Sequence, residues 1–348
     1  MIPILLGHND SLLHMHRRGD HLPFLSHSLE GHLDLPRARA AGVAGGFFAC
    51  WVPRYLHEAD PDQRQWPEEW GYHTDLAPSL DPEHALEHTL AMMERLFLLE
   101  ADSQGRLRIV RDLSDLLDCI GEGRLGAILH FEGAEAIAPD LSNLEQFYEA
   151  GLRSLGPVWS RSNAFGHGVP FCFPSSPDTG PGLTACGEQL VRACNRLGIL
   201  LDVSHLNEQG FWDVARLSQA PLVASHSNAH GACPSSRNLT DTQLRAIADS
   251  GGLVGVNFCT SDLRPDGLDE ADTPMELIYQ QFEYLLGEIG IDHIALGSDF
   301  DGCIIPEQMG DVLGLHDLMN GLQERGYSHH ELEQIAYGNW LRVLAETW

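Results

Sequence analysis

His8 and Asp10 stand two residues apart just beyond an apolar run, Ile2 to Leu6, in the stretch Gly7-His8-Asn9-Asp10. On a strand, residues two apart share a face, so an imidazole and a carboxylate can converge there on one point. That is a ligand pair for a divalent metal. Alone it is weak, because His-x-Asp arises by chance in any long chain and a solvated turn accounts for it. The pattern recurs, however, wherever an apolar run ends. Leu125–Phe131 runs into Glu132, Ile199–Ser204 into His205, Pro221–Ser225 into His226, and His293–Ser298 into Asp299. Five segments thus carry six oxygen or nitrogen donors and no thiolate, a set suited to two borderline divalent cations, with zinc first and manganese or iron as alternatives. Two adjacent cations need a ligand they can share, and a carboxylate has two oxygens to offer. Glu132 is the candidate.

The elements that must position these residues follow from the hydrophobic pattern. Short apolar, β-rich runs occur near 2–6, 43–51, 125–131, 152–158, 198–204, 221–225, 252–258 and 293–298. Helical signals fall between most of them. Asp81-Pro82-Glu83 opens a run to Ala101, with Asp as cap and Pro in the first turn, and further segments lie at 142–150, 182–197, 207–217, 240–250, 274–290 and 328–346. Near-continuous apolar strands alternating with amphipathic helices predict a parallel sheet covered by helices, and eight repeats fit a closed (β/α)8 TIM barrel of the metal-dependent hydrolase type. An open doubly wound sheet is the alternative, but no GxGxxG follows the first strand. No linker, repeat or composition shift divides the chain, so residues 1–348 read as one barrel domain with a long loop-helix insertion at about 52–110. Residues 52–80 carry few helix signals. With Trp51, Tyr55, Trp66, Trp70, Tyr72 and four prolines they read as a long aromatic loop that either walls a pocket or packs as a satellite cluster.

Composition narrows the function classes. The 348 residues are 43% hydrophobic, with a mean hydropathy of -0.16, enough to bury a large core. No stretch approaches the roughly 18 apolar residues of a membrane span, and the N-terminus lacks the charged region and cleavage site of a leader, so a cytoplasmic protein without a membrane partner is expected. Lys plus Arg number 21 against 50 Asp plus Glu, a formal charge of -29. That field repels a phosphate backbone and argues against nucleic acid as a partner. The acidity itself reads as a hydrated surface rather than as a sign of cationic substrates. Eight scattered cysteines with no CxxC pair are expected to stay reduced.

Taken together, Gly7-His8-Asn9-Asp10, Phe131-Glu132-Gly133, Asp202-Val203-Ser204-His205, Ser225-His226-Ser227-Asn228-Ala229, Arg237-Asn238-Leu239 and Gly297-Ser298-Asp299-Phe300-Asp301-Gly302 resemble the renal, or membrane, dipeptidase family of zinc peptidases, in the amidohydrolase superfamily. The similarity covers essentially the whole chain, with the motifs in family order. It implies a (β/α)8 barrel whose two zinc ions support hydrolysis of dipeptides, including L-Xaa-D-Xaa, in a homodimer. It also implies that His8 and Asp10 hold one zinc, that His205 and His226 hold the other, and that Glu132 bridges both. Asp299 would shuttle the proton and Arg237 would grip the substrate carboxylate. Each role has a physical basis. Two cations acidify a shared water and polarise the scissile carbonyl, a free carboxylate can carry a proton to the leaving amine, and a guanidinium fork reads a carboxylate at two points.

One position departs from the family. Where the family places a histidine that helps polarise the carbonyl, at the end of the fourth strand, this chain has Trp159. An indole ring face cannot stabilise an oxyanion, so either the Trp159 N–H donates one hydrogen bond to the substrate or Arg161 or His167 in the following loop supplies the donor, and all three are expected substrate-binding residues. Other residues have plainer readings. His130 is expected to pack or to orient Glu132, His230 to belong to a loop, and Asp301 to rank behind Asp299 as proton carrier. His14, His16 and His21 read as a solvated loop cluster, and His329-His330 as the start of the last helix. Two rival functions keep the same residues: an amidohydrolase acting on another carboxylate-bearing amide, a β-lactam or a lactone, and a catalytically decayed metal-binding protein. The intact Asp299 speaks against the second, because a structural zinc site needs no spare acid beside it.

Overall fold

The computed structural model describes residues 2–57 and 66–348, with the backbone alone for 66–68. Eight parallel strands form its centre: β1 (Ile4–Asn9), β2 (Val43–Cys50), β3 (Leu125–Glu132), β4 (Leu152–Gly156), β5 (Leu200–Leu201), β6 (Val223–Ser227), β7 (Leu253–Asn257) and β8 (Ile294–Phe300). Every apolar run of the sequence became one of them. The ladder runs β6-β7-β8-β1-β2-β3-β4-β5. A single bridge, Asp202 to Val223, returns β5 to β6 and closes the ring, with Val203 N donating to Val223 O at 2.8 Å. The chain folds as a (β/α)8 barrel. Both faces of its strands are covered, and β1, β2 and β3 are buried at every residue, which is why they read as unbroken apolar runs.

The lower end of the barrel is plugged by the last helical segment. Trp340 is fully buried, lies 4.8 Å from the Phe47 ring and donates from Nε1 to Leu296 O at 3.4 Å. A Cβ on Gly7 would lie 2.7 Å from that indole, so glycine is required there for close packing. The helix expected over 328–346 is interrupted: His329–Glu333 and Asn339–Thr347 flank a π-helical turn at Gln334–Gly338.

The helix Pro82–Asp102 begins as expected, with the Asp81 carboxylate accepting from Glu83 N and His84 N. Five α-helices among the described residues have no counterpart in the sequence pattern: Ser11–Arg18, Leu35–Ala41, Leu113–Glu122, Thr260–Leu263 and Leu315–Glu324. The first of them corrects the solvated histidine loop. His16 Nε2 lies 2.7 Å from His88 Nδ1 and His21 Nε2 lies 2.8 Å from Asp102 Oδ2, so both rings tie the first helix region to Pro82–Asp102. The expected loop over 52–80 also holds structure. Trp66–Glu68, Gly71–His73 and Cys172–Phe173 form a small antiparallel sheet; the part of that loop at 58–65 lies outside the described residues. All eight cysteines are free. No helix among the described residues is long and apolar enough to cross a membrane.

Candidate metal centre

The strand ends bring the sequence-derived donors to one place. Glu132, at the last position of β3, is 6% exposed. Its Oε2 lies 3.4 Å from His8 Nε2; its Oε1 lies 2.9 Å from His205 Nε2 and 3.5 Å from His226 Nε2. Asp10 Oδ2 is 3.3 Å from His8 Nε2, and Asp299 Oδ1 is 4.0 Å from the same atom. Simple strand alternation does not produce this alone: the pairing of β1 with β8 slips between His8 and Asn9.

The backbone around the donors is bent to the task. His205, Ser298, Asp299 and Asp301 have φ of 65°, 69°, 67° and 69°, a left-handed conformation that residues with a Cβ adopt at a cost of about 1 to 3 kcal/mol each. Gly302 answers a different constraint, since a Cβ there would run into Asp10 Oδ2 and Asp299 Oδ1.

Behind the donors lies a layer that the sequence reading passed over. Ser225 Oγ lies 2.8 Å from His226 Nδ1 and donates to Asp202 Oδ2. Asp202 Oδ1 accepts from Ser225 N at 2.9 Å and from Ser204 N at 3.0 Å. Ser160 Oγ stands 2.9 Å from His205 Nδ1. Each imidazole therefore has its Nδ1 fixed and its Nε2 turned toward Glu132, the arrangement that orients a ligand histidine. His130 belongs to this layer and does not touch Glu132. Its Nδ1 meets Ser154 Oγ at 2.9 Å and its Nε2 lies 3.6 Å from Asp202 Oδ2. The one available signal for the layer was polar residues, Asp202 and Ser225, inside otherwise apolar strands.

Two features suit these residues to cations. First, both ring nitrogens of His8 and Oδ1 of Asp10 are buried without a hydrogen-bond partner, and the donor atoms of His8, Glu132 and His226, and of His8, Asp10 and Asp299, cluster within 4.8 Å of one another. Second, the charges conflict. Burial pushes Glu132 up to about 7, with His8 opposing, and raises Asp299. His8 is raised well above the ordinary imidazole range, because Glu132 and Asp10 outweigh the burial that would lower it. His205 and His226 are held well below it by burial, then by the positive groups around them, Arg237 and His8 first among these. Buried carboxylates that need positive charge, with His205 and His226 kept neutral beside them, fit bound divalent cations.

A cavity of about 300 Å³ opens above the cluster, lined by Asp10, Glu132, His205 and Asp299 at its floor. Trp51, Trp159 and Phe171 form one wall, with Trp159 5.1 Å from the Trp51 ring and 5.6 Å from the Phe171 ring; Tyr72 reaches the cavity from the small sheet. Trp70 is 81% exposed, so the aromatic segment walls the site only in part. Arg237 lines the cavity and is held from behind, Nη1 donating to Ser227 Oγ and Nη2 to His226 O, both at 2.8 Å. Asp299 Oδ2 accepts from Asn257 Nδ2 at 3.1 Å. Asp301 is engaged elsewhere, accepting from Ser11 Oγ and His32 N. Arg161 and His167 are not among the cavity-lining residues. Arg161 is buried beside the indoles of Trp159 and Trp51 with Glu135 at 3.7 Å. His167 Nδ1 meets Gly182 O at 3.1 Å.

Comparison with known proteins bears on the family and the fold. A family model described as membrane dipeptidase, peptidase family M19, matches residues 1–347. A metallopeptidase from Rhodobacter sphaeroides, solved with a phosphinate mimic of the dipeptide L-Ala-D-Ala, is 46% identical and superposes with a TM-score of 0.95, covering 100% of this chain and 99% of that one. A second solved structure, dipeptidase AC, a metallopeptidase of family M19, is also 46% identical with a TM-score of 0.92, over 100% of this chain and 99% of that one. A Klebsiella pneumoniae protein described as an uncharacterized protein in the pqqA 5′ region is 48% identical over 268 residues, 77% of this chain and 98% of that protein.

Proposed function

The chain belongs to the membrane dipeptidase family, and from that premise we propose that this metallopeptidase of dipeptidase type uses two divalent cations, zinc first among them, to cleave dipeptides that include L-Xaa-D-Xaa. The observation that carries the two-cation reading is Glu132, whose oxygens divide between His8 on one side and His205 with His226 on the other. His8 and Asp10 would hold one cation, His205 and His226 the second, and Glu132 both. Bound there, the pair would supply Lewis acidity toward the scissile carbonyl and acidify a water.

The protein's own groups do the rest. Arg237, which lines the cavity and is anchored by Ser227 and the His226 carbonyl, takes the C-terminal carboxylate of the substrate, which favours dipeptides over longer chains. Asp299, steadied by Asn257, takes the proton of the attacking water and delivers it to the departing amine. The aromatic wall excludes water from one side of the peptide. The L-Ala-D-Ala mimic held by the Rhodobacter sphaeroides metallopeptidase supports a trial of D residues at the C-terminal side.

The deciding experiment combines metal analysis with a panel of dipeptides of both stereochemistries at the C-terminal residue. Two equivalents of metal per chain and hydrolysis that stops on chelation are expected. Fewer than two equivalents after reconstitution, or no hydrolysis of any dipeptide, would sink the proposal.

A further inference from the structure

Besides the groups this chemistry uses, and Asp301, which Ser11 and His32 hold, two carboxylates line the cavity. Asp262, in the short helix Thr260–Leu263 after β7, is 4% exposed and lines the cavity. Its side chain takes one hydrogen bond among the described residues, from Ser235 Oγ to Oδ1 at 3.0 Å. Asp269 lines the mouth of the same cavity and accepts from Thr260 Oγ1 at 2.7 Å. Neither has an ion-pair partner within 4.0 Å among the described residues. Their neighbours in the same loop do: Arg264 takes Asp266 at 2.7 Å and Asp272 at 3.5 Å. In that loop Asp266 and Asp272 are thus neutralised, whereas Asp262 and Asp269, which line the cavity, are not.

Burial pushes Asp262 up to about 6, with Arg237 opposing, and raises Asp269 as well. For Asp262, buried and without an ion-pair partner within 4.0 Å among the described residues, the cost of that burial is offset when a cation arrives. Ser235 also locates the pair relative to the substrate. It receives Arg237 N on its Oγ at 3.3 Å while that oxygen donates to Asp262, so Asp262 stands beside the arginine that would hold the C-terminal carboxylate. Tyr72 lines the cavity beside these carboxylates and feels their charge.

We infer that Asp262 and Asp269 form a subsite for a cationic side chain on the C-terminal residue of the dipeptide. The inference rests on the dipeptidase reading and on Arg237 holding the terminal carboxylate. A lysine ammonium or arginine guanidinium would donate to the free oxygen of Asp262 and to Asp269, while its methylene stem lies along Tyr72. The net charge of the whole chain does not carry this; two located, unpaired carboxylates do.

The test compares Ala-Lys, Ala-norleucine and Lys-Ala, with both L and D C-terminal residues, on the zinc-loaded protein, reading KM and kcat separately. Norleucine keeps the stem and removes the ammonium. Ala-Lys should show a KM about tenfold below Ala-norleucine, as expected for one charged hydrogen bond. That ratio should collapse toward one in Asp262→Asn and, at the exposed mouth where folding is not at stake, in Asp269→Asn. Equal KM values for the two peptides, a preference that follows Lys-Ala instead, or a ratio that survives both substitutions would each overturn the subsite while leaving the dipeptidase reading intact. Failure to hydrolyse all of the peptides would remove both.

Discussion

His205 Nε2 and His226 Nε2 face each other at 3.0 Å, and both lie within 3.5 Å of the same oxygen of Glu132. Two neutral imidazoles and a buried carboxylate at such distances leave lone pairs pointed at a common centre. Their far nitrogens are committed to Ser160 and Ser225, so the rings cannot turn away. Weakening those hydroxyls should therefore act on the metal before it acts on the fold. Ser225→Ala is expected to lower metal affinity about 10- to 100-fold, read by competition with a chromophoric chelator, with the circular dichroism spectrum retained. Affinity equal to that of the unsubstituted protein would show that Asp202 and Ser225 do not orient His226.

Gly302→Ala adds one methyl group where Asp10 Oδ2 and Asp299 Oδ1 already stand. The strand ladder does not involve that position, so the barrel should form while the two carboxylates are driven apart. Loss of at least one metal equivalent with a near-native melting temperature is expected, measured by elemental analysis alongside calorimetry. Full occupancy and full activity would mean that the loop after β8 yields more easily than its contacts suggest.

Asp299 and Arg237 are separable by kinetics. Asp299→Asn should cut kcat by about 10² to 10⁴, the usual worth of a positioned proton carrier, with both metal equivalents kept; loss of one equivalent would reassign Asp299 as a ligand, since it clusters with His8 and Asp10. Arg237→Lys keeps the charge but gives up two-point recognition, and should raise KM by about tenfold with kcat less affected. A variant with unchanged KM would place the substrate carboxylate elsewhere.

Acid should loosen the junction between the helices Ser11–Arg18 and Pro82–Asp102. His16 is lowered to about 4 by burial, then by the charges of His88 and Arg95. A group whose folded pKa lies below its unfolded value near 6.5 binds more protons in the unfolded chain, so its contribution is whole above about 6.5 and is lost as pH falls toward about 4. The melting temperature of the metal-free protein should drop across that window, and His16→Asn should flatten the drop. Parallel profiles for the two proteins would remove His16 from the account.

The strands were legible because a barrel strand is covered on both faces and so reads as a continuous apolar run; every such run reappears in the ladder. The positions of Glu132, His205, His226 and Asp299 were legible for the same reason, since a polar residue that ends such a run sits at the rim. Less visible was anything that depends on departure from regular geometry: the slip between His8 and Asn9, or the left-handed φ of His205 and Asp299. Asp202 and Ser225 looked like strand interior because their function is to serve another side chain rather than a ligand. The small sheet joining Gly71–His73 to Cys172–Phe173 pairs segments about a hundred residues apart, beyond any local pattern. Arg161 and His167 were read from proximity in sequence to Trp159, which says nothing about whether a loop turns its side chains inward.

The ring of strands is thinnest where β5 meets β6, joined by one bridge at Asp202 and Val223. His205 and His226 stand just beyond that seam, one on each side, His205 after β5 and His226 within β6. A cation gripped by both would act as a clasp across the gap, doing for the upper rim what Trp340 does for the lower end. Asp202 already does part of this from within, reaching over the seam to the Ser225 amide and hydroxyl. Catalytic readiness and mechanical closure of the barrel then become one property, and a protein stripped of its cations would part first along the line where its chemistry is done.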